Sequence, residues 1–285
     1  MADRLRAILN HCRNSGSRSA FFRFGNYTGI INLDRFENVG ALQKELAAFD
    51  AAPVEALCKN SASVRAAVIG DLFFKCYRKR GITMLLKRAI LLPRPFRCLG
   101  AAIRLKEIGV STPEVWAAVR CRSYYFFPQM DYLVTEALAP NCASLAALVP
   151  ESPFPIDPVL LGGLVKLAAK LHEAGVVHGD LSLRNIYAER DADGSIGSFG
   201  VIDLDALTAE DQPAPVNFRR RELARLVSSY QDLRSFQCKG IADLADLTAE
   251  AAKLYQEETG INLASPALTD RVNYLYRRKL RSIPR

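Results

Sequence analysis

The chain has 285 residues, of which 49% are hydrophobic and 24% charged, and a formal net charge of +8. That is long enough for one large or two modest domains with a real core, and the composition is ordinary for a globular protein. Seven cysteines, an odd number with no C-x-x-C pair, and three histidines argue against a disulfide framework and a zinc ribbon. No run approaches the about 20 uninterrupted apolar residues of a membrane span.

The first stretch, "MADRLRAILNHCRNSGSRS", is charged and lacks the apolar core of a secretory signal, so the expected compartment is reducing and cytoplasmic. Residues 41–49 predict a short helix with Leu42, Leu46 and Phe49 on one face. Residues 64–70 and 72–77 read as strands joined by a tight turn at Gly70-Asp71. A basic connection broken by Pro93 and Pro95 leads to a helix over 97–109 that stops at Gly109. "TPEVWAAVRC" and "MDYLVTEAL" read as further strands. From 159, Leu160, Leu164, Leu167, Ala168 and Leu171 share a helical face that ends at Gly175. After 217 the pattern is helical. The order predicts a small sheet-rich part followed by a larger helical part.

Two stretches carry chemistry. "VVHGDLSLRNIYAE" (176–189) sets His178, Asp180, Ser182, Arg184 and Asn185 between apolar runs, and "FGVIDLDAL" (199–207) puts Asp203 at the end of another. Singly, an Asp or Asn at such a place is ordinary turn chemistry. Together they match what phosphate transfer needs: a carboxylate to orient a hydroxyl, oxygen ligands for magnesium, and cations for the polyphosphate. A strand-loop-strand arrangement brings Asn185 and Asp203 together with Asp180 facing them. Lys75, in an apolar strand, needs a compensating partner.

"LHEAGVVHGDLSLRNIY" followed by "VIDLDAL" resembles the catalytic loop and metal motif of the protein-kinase-like superfamily, in the H-G-D form of its small-molecule and sugar kinases. "FFKCYRKRG", "LKEIGVSTPEV" and "RRRELARLVSSY" further resemble the bacterial lipopolysaccharide core kinases, which phosphorylate Kdo or heptose; the likeness covers roughly residues 55–235. The resemblance implies an α+β, protein-kinase-like, two-lobed fold with a small antiparallel-sheet N-lobe and a larger helical C-lobe. The expected division is an N-terminal extension over 1–53 packing on the N-lobe, the N-lobe over 54–136 and the C-lobe over 137–285. It implies ATP and Mg2+ as cofactors: Lys75 on the phosphates, Asp180 as the catalytic residue, Asn185 and Asp203 on the metal, and the backbone from Glu136 to Leu138 against adenine. His178 is expected to brace the loop.

Two departures stand out. No Gly-x-Gly-x-x-Gly precedes Lys75, only Ser61, Ala62 and Ser63. Cys98 stands where the acid that pairs with the lysine is expected, and Glu107, nine residues on, falls on the opposite helical face. The second departure keeps open a catalytically impaired nucleotide-binding regulator, beside a kinase for a protein or small-alcohol acceptor. Residues 76–106 carry nine cations and no acid, which suits a lipid-linked lipopolysaccharide core acceptor and leaves peripheral binding to an anionic inner-membrane face open. No recognition helix, zinc finger or aromatic RNP pattern favours nucleic acid.

Overall fold

The computed structural model describes residues 8–10, 12, 18–78, 92–122, 128–151, 158–190, 196–237 and 244–281. The basic stretch 79–91 and Cys238 fall outside them. The chain divides into two compact units, one of residues 1–105 and 113–138, the other of residues 106–112 and 139–285.

The first unit is built on a seven-stranded antiparallel sheet ordered β1-β2-β6-β7-β5-β4-β3. Its strands are β1 (Ser19–Phe24), β2 (Tyr27–Asn32), β3 (Lys59–Asn60), β4 (Val64–Ile69), β5 (Leu72–Arg78), β6 (Val115–Arg122) and β7 (Pro128–Glu136). The Gly70-Asp71 turn forms as expected, pairing Ile69 with Leu72, and Gly70 takes the positive φ such a turn requires. Helix α1 (Val39–Ala51) starts at Asn38, whose side chain accepts the Ala41 N–H at 3.1 Å. Its predicted face, Leu42, Leu46 and Phe49, is buried; Phe49 stacks on Phe74 of β5 at 5.3 Å and meets Tyr132 of β7 edge-on. Side chains alternate along a strand, so Phe74 and Cys76 face α1 while Lys75 and Tyr77 point to the other side. Helix α2 (Arg94–Glu107) carries buried Phe96, Cys98, Leu99 and Leu105 and exposed Glu107.

The sequence patterns give residues 19–32 no strands. In the structure β1 and β2 form a hairpin, and β2 pairs with β6, so this part of residues 1–53 is woven into the sheet.

The second unit is mainly helical: α3 (Leu145–Glu151), α4 (Pro158–Glu173), α5 (Val216–Gln237), α6 (Leu244–Thr259) and α7 (Pro266–Leu280). Leu161, Leu164, Val165, Ala168 and Leu171 bury the inner face of α4. A three-stranded sheet, β11-β10-β8, is formed by β8 (Cys142–Ser144), β10 (Ile186–Arg190) and β11 (Ile196–Val201). A two-stranded ribbon joins β9 (Val176–Val177) to β12 (Thr208–Ala209). Among the described cysteines, Cys12, Cys76, Cys98 and Cys121 are buried and none is bridged. Among the described residues no helix is long and apolar enough to cross a membrane.

Candidate active site

The polar stretch 178–185 begins where α4 stops. Gly175 ends that helix at φ +74°, and a Cβ there would lie 2.1 Å from the Glu210 carbonyl oxygen, so only glycine fits. The chain then runs through β9 into a loop fastened at several points. The Glu222 carboxylate, on α5 and buried, accepts the His178 N–H at 2.9 Å and the Gly179 N–H at 2.6 Å. His178 Nε2 donates to the Ile202 carbonyl at 3.0 Å while its Nδ1 accepts the Asp180 N–H at 3.4 Å, a pairing that needs the neutral Nε2–H tautomer. Further along, the Leu183 N–H donates to Ser229 Oγ, and the Leu183 carbonyl accepts from Ala146 N–H. His178 thus braces the loop.

Gly179 explains the H-G-D form. It holds φ +82°, and a Cβ would come 2.6 Å from the Ala206 carbonyl oxygen, just past Asp203. The left-handed conformation alone costs an L-residue about 1–2 kcal/mol. Gly179→Ala is expected to lower the melting temperature by at least ~2–4 °C and to impair the loop further by displacing Ala206. Calorimetry beside turnover checks this; a variant with wild-type melting and wild-type turnover would show that the close approach is not needed.

The loop and the β10–β11 hairpin bring three predicted residues together. Asn185 Nδ2 donates to the Asp180 main-chain carbonyl at 2.9 Å and to Asp180 Oδ2 at 3.1 Å. Both amide hydrogens are then engaged, and Oδ1 is the atom left for a cation. The Ile202 N–H donates to the Asn185 carbonyl at 2.9 Å, next to the Ile186–Val201 pair, which sets Asp203 one residue from that contact. Asp203 sits at φ 61°, ψ 61°, the one positive φ outside glycine among the described residues. Asp and Asn tolerate that region best, and such outliers concentrate at functional sites. The Asp180 side chain is 59% exposed, and its Oδ1 meets Arg225 Nε at 3.3 Å. Arg225 also donates from Nη1 to the Gly179 carbonyl.

Behind the loop lies a buried polar chain. Glu222 Oε2 meets His172 Nε2 at 3.2 Å, His172 Nδ1 meets the Tyr255 hydroxyl at 2.9 Å, and that hydroxyl accepts from Arg219 Nη1 at 3.1 Å. Arg219 also pairs with Glu173 and donates from Nε to the Ala214 carbonyl. Burial alone would raise the Glu222 carboxyl. The His172 hydrogen bond and charge, with the main-chain N–H of His178, outweigh it and hold the group below the usual carboxylate range. Burial pushes the Tyr255 phenol up to about 12, with Arg219 pulling against it. His172, read as structural from its place on an apolar stripe, belongs to this chain. Glu222 and Arg225 were missed, although both lie in the quoted "RRRELARLVSSY": a lone acid amid basic residues, and an arginine three positions on, on the same helical face.

In the first unit, Lys75 is buried mid-strand, opposite Ala66 and Leu133. Its ammonium lies 5.3 Å from the centre of the Tyr77 ring, and the Arg94 guanidinium lies 5.6 Å from the same ring. The aromatic face two residues along the strand stabilises the ammonium. Cys98 is buried in α2. Glu136, paired with Leu72, ends β7; its N–H donates to the Glu114 carbonyl, its own carbonyl accepts from Thr135 Oγ1, and the Ala137 N–H donates to the Asp71 carbonyl. Leu138 follows as the last residue of the first unit. The glycine-free turn before β4 closes through Ser61, whose N–H donates to the Val64 carbonyl and whose Oγ accepts the Val64 N–H.

Comparison with known proteins bears on this arrangement. No curated protein sequence matches the chain. Among solved structures it is similar to "WaaP in complex with acyl carrier protein", at 19% identity and a TM-score of 0.50, covering 83% of this chain and 92% of that one. It is also similar to a glucosamine kinase (12% identity, TM-score 0.45, 93% and 87% covered) and to the Rio2 kinase of Chaetomium thermophilum (17%, 0.44, 98% and 85%). The first likeness shows the α+β kinase-like fold. A family model, "Lipopolysaccharide kinase (Kdo/WaaP) family", matches residues 53–256. Spanning well over half of the sequence and all of the loop, hairpin and buried chain just described, that match shows that the chain belongs to the lipopolysaccharide kinase (Kdo/WaaP) family and is a kinase.

Proposed function

We propose that this kinase transfers the γ-phosphate of ATP to a sugar hydroxyl, Kdo or heptose, of a lipid-linked lipopolysaccharide inner core at the cytoplasmic face of the inner membrane. The observation that carries the reading is the Asp180–Asn185 contact, backed by the Ile202 link to Asp203. It groups one accessible carboxylate with two oxygen donors of the kind magnesium takes.

In this reading the acceptor oxygen attacks the γ-phosphorus, a P–O bond forms, and the bond to the β-phosphate oxygen breaks to release ADP. The hydroxyl proton passes to the Asp180 carboxylate. Arg225 and Asn185 hold that carboxylate from two sides, so that it faces the acceptor in one orientation. Asn185 Oδ1 and Asp203 are the residues that would hold magnesium. When bound, magnesium neutralises phosphate charge. The donor set fits: a carboxylate and an amide carbonyl are oxygen donors of the kind magnesium takes. Lys75 adds charge neutralisation, and the Glu136–Leu138 backbone takes the adenine.

The test is ADP release from purified protein with ATP and magnesium, with and without lipid extract bearing the core oligosaccharide, beside Asp203→Ala. Acceptor-dependent release that disappears in the variant is expected. Release that ignores the glycolipid, or persists in Asp203→Ala, overturns the assignment.

A further inference from the structure

On one side of Asp180 lies a cleft of about 650 Å³. Its walls combine the 180–184 loop, one face of α5 and one face of α7. Five cationic side chains line it, Arg184, Arg225, Arg271, Arg278 and Lys279, against two carboxylates, Asp180 and Asp232. Those two acids are engaged: Asp180 with Arg225, and Asp232 with Lys279 at 3.5 Å. Among the described residues no ion pair joins a carboxylate to Arg184, Arg271 or Arg278; Arg271 rests over the Tyr274 ring. Burial pulls the Lys279 ammonium below its usual range. Asp232 pushes back, Arg184 adds to the fall, and Asp180 opposes it. Ser228, buried in the same wall, has a hydroxyl without a hydrogen-bond partner among the described residues.

The α7 positions are not scattered. Arg271, Leu275, Arg278 and Lys279 follow helical spacing and form one stripe on the cleft. A cluster of like charges on a fixed helix repels itself unless an anion is shared. The family match ends at residue 256, before this helix begins. The stripe is therefore a feature of this chain beyond the matched catalytic core.

We infer that this cleft binds an anionic group carried by the acceptor, a carboxylate or a phosphate beside the hydroxyl to be modified, with Arg184, Arg271 and Arg278 as the recognising cations. The inference rests on the reading of Asp180 as the residue that faces the acceptor. Arginine forks suit either anion bidentately, and Ser228 adds a neutral donor. The cleft then ranks acceptors: an acidic or phosphorylated sugar is favoured over a neutral one.

The test uses the full chain and the double variant Arg271→Gln/Arg278→Gln, both exposed positions whose replacement leaves the core intact. Steady-state turnover is measured with a Kdo-bearing lipid and with the same lipid after methyl esterification of its carboxylates. The acceptor KM of the double variant is expected to rise about 10- to 100-fold for the free acid, with the KM for ATP within about twofold. The esterified lipid should show no such difference between the two proteins. A rise in the ATP KM instead, an equal rise for the ester, or no rise at all overturns the inference. Inorganic phosphate is the second probe. Inhibition competitive with the acceptor in wild type, and lost in the double variant, supports a site for the acceptor's anion. Arginine-dependent phosphate binding that does not compete with the acceptor assigns the cleft to free phosphate and overturns it. Phosphate binding by calorimetry to Asp180→Ala, with and without the two arginine changes, keeps the readings apart. Phosphate binding that needs the arginines, in a protein whose wild type modifies no glycolipid, fails the proposed function but keeps the anion site. Binding indifferent to the arginines fails the inference alone.

Discussion

Asp180→Asn is expected to lower phosphate transfer by ~10²–10⁴-fold in kcat, the range that a positioned acid–base group supplies. At 1.36 kcal/mol per decade this is about 3–5 kcal/mol of lost transition-state stabilisation. The substitution keeps shape and an acceptor oxygen for Asn185, so the loop contacts at 2.9 and 3.1 Å have what they need. It removes the carboxylate proposed to accept the proton and the charge that Arg225 meets. Because that pair is largely exposed, its loss costs stability little, about 0–1 kcal/mol, and the melting temperature should stay within a few degrees. Rapid-quench turnover beside a thermal melt separates the two effects. Near-normal kcat would remove Asp180 from the chemistry. A collapsed melt would recast it as a structural residue.

The second large effect is on stability. Glu222→Ala strands the His178 and Gly179 N–H groups and the His172 ring nitrogen in the interior. Breaking a buried charged network from one side costs ~3–5 kcal/mol, which for a domain of this size lowers the melting temperature by roughly 6–20 °C. Turnover should fall as well, since the same two N–H groups fix the backbone before Asp180. Glu222→Gln retains one acceptor oxygen and should fall between. The sign of the pH effect follows from the direction of the shift. The folded carboxyl lies below its usual value of 4.5, so its stabilisation is complete above that pH and fades as pH drops through the folded value. The gap in melting temperature between wild type and Glu222→Gln should therefore be widest near neutrality and narrow below about pH 4.5. A gap that stays constant with pH would mean that the carboxylate's charge contributes nothing.

The grouping of the 178–185 loop with Asp203 was legible because Asp and Asn in that order between apolar runs are restrictive, and the structure joins Asp180 to Asn185 and ties the Asn185 carbonyl to Ile202, beside Asp203. Helix α4 was legible through its apolar spacing and its glycine stop. The β1–β2 hairpin was not. Phe21 and Phe24 are exposed on a strand that also buries Phe22, and apolar residues on both faces erase the alternation that marks a half-buried strand. The Gly25-Asn26 turn between the strands was the signal available. The Tyr77 ring against Lys75 was not legible for a different reason: an i, i+2 cation–aromatic pair on one strand face leaves no pattern distinct from an ordinary apolar strand. What the basic residues of α7 meet was not legible because nothing local in the sequence shows which elements a last helix packs against. Packing of α7 against α5 decides that, and it is a tertiary fact.

Tyr255 lies one residue before the end of the family match and is the far anchor of the chain through His172 and Glu222 to the loop. A polypeptide that stopped short of it would leave the catalytic loop without its rear support, whereas the helix that begins at Pro266 is outside that support. That last helix takes no part in the buried hydrogen-bonded chain, although it packs on α5 and lines the cleft beside the loop. Exposed positions on that helix, such as Arg271 and Arg278, can be exchanged, by selection or by design, without touching the buried chain behind the 178–185 loop.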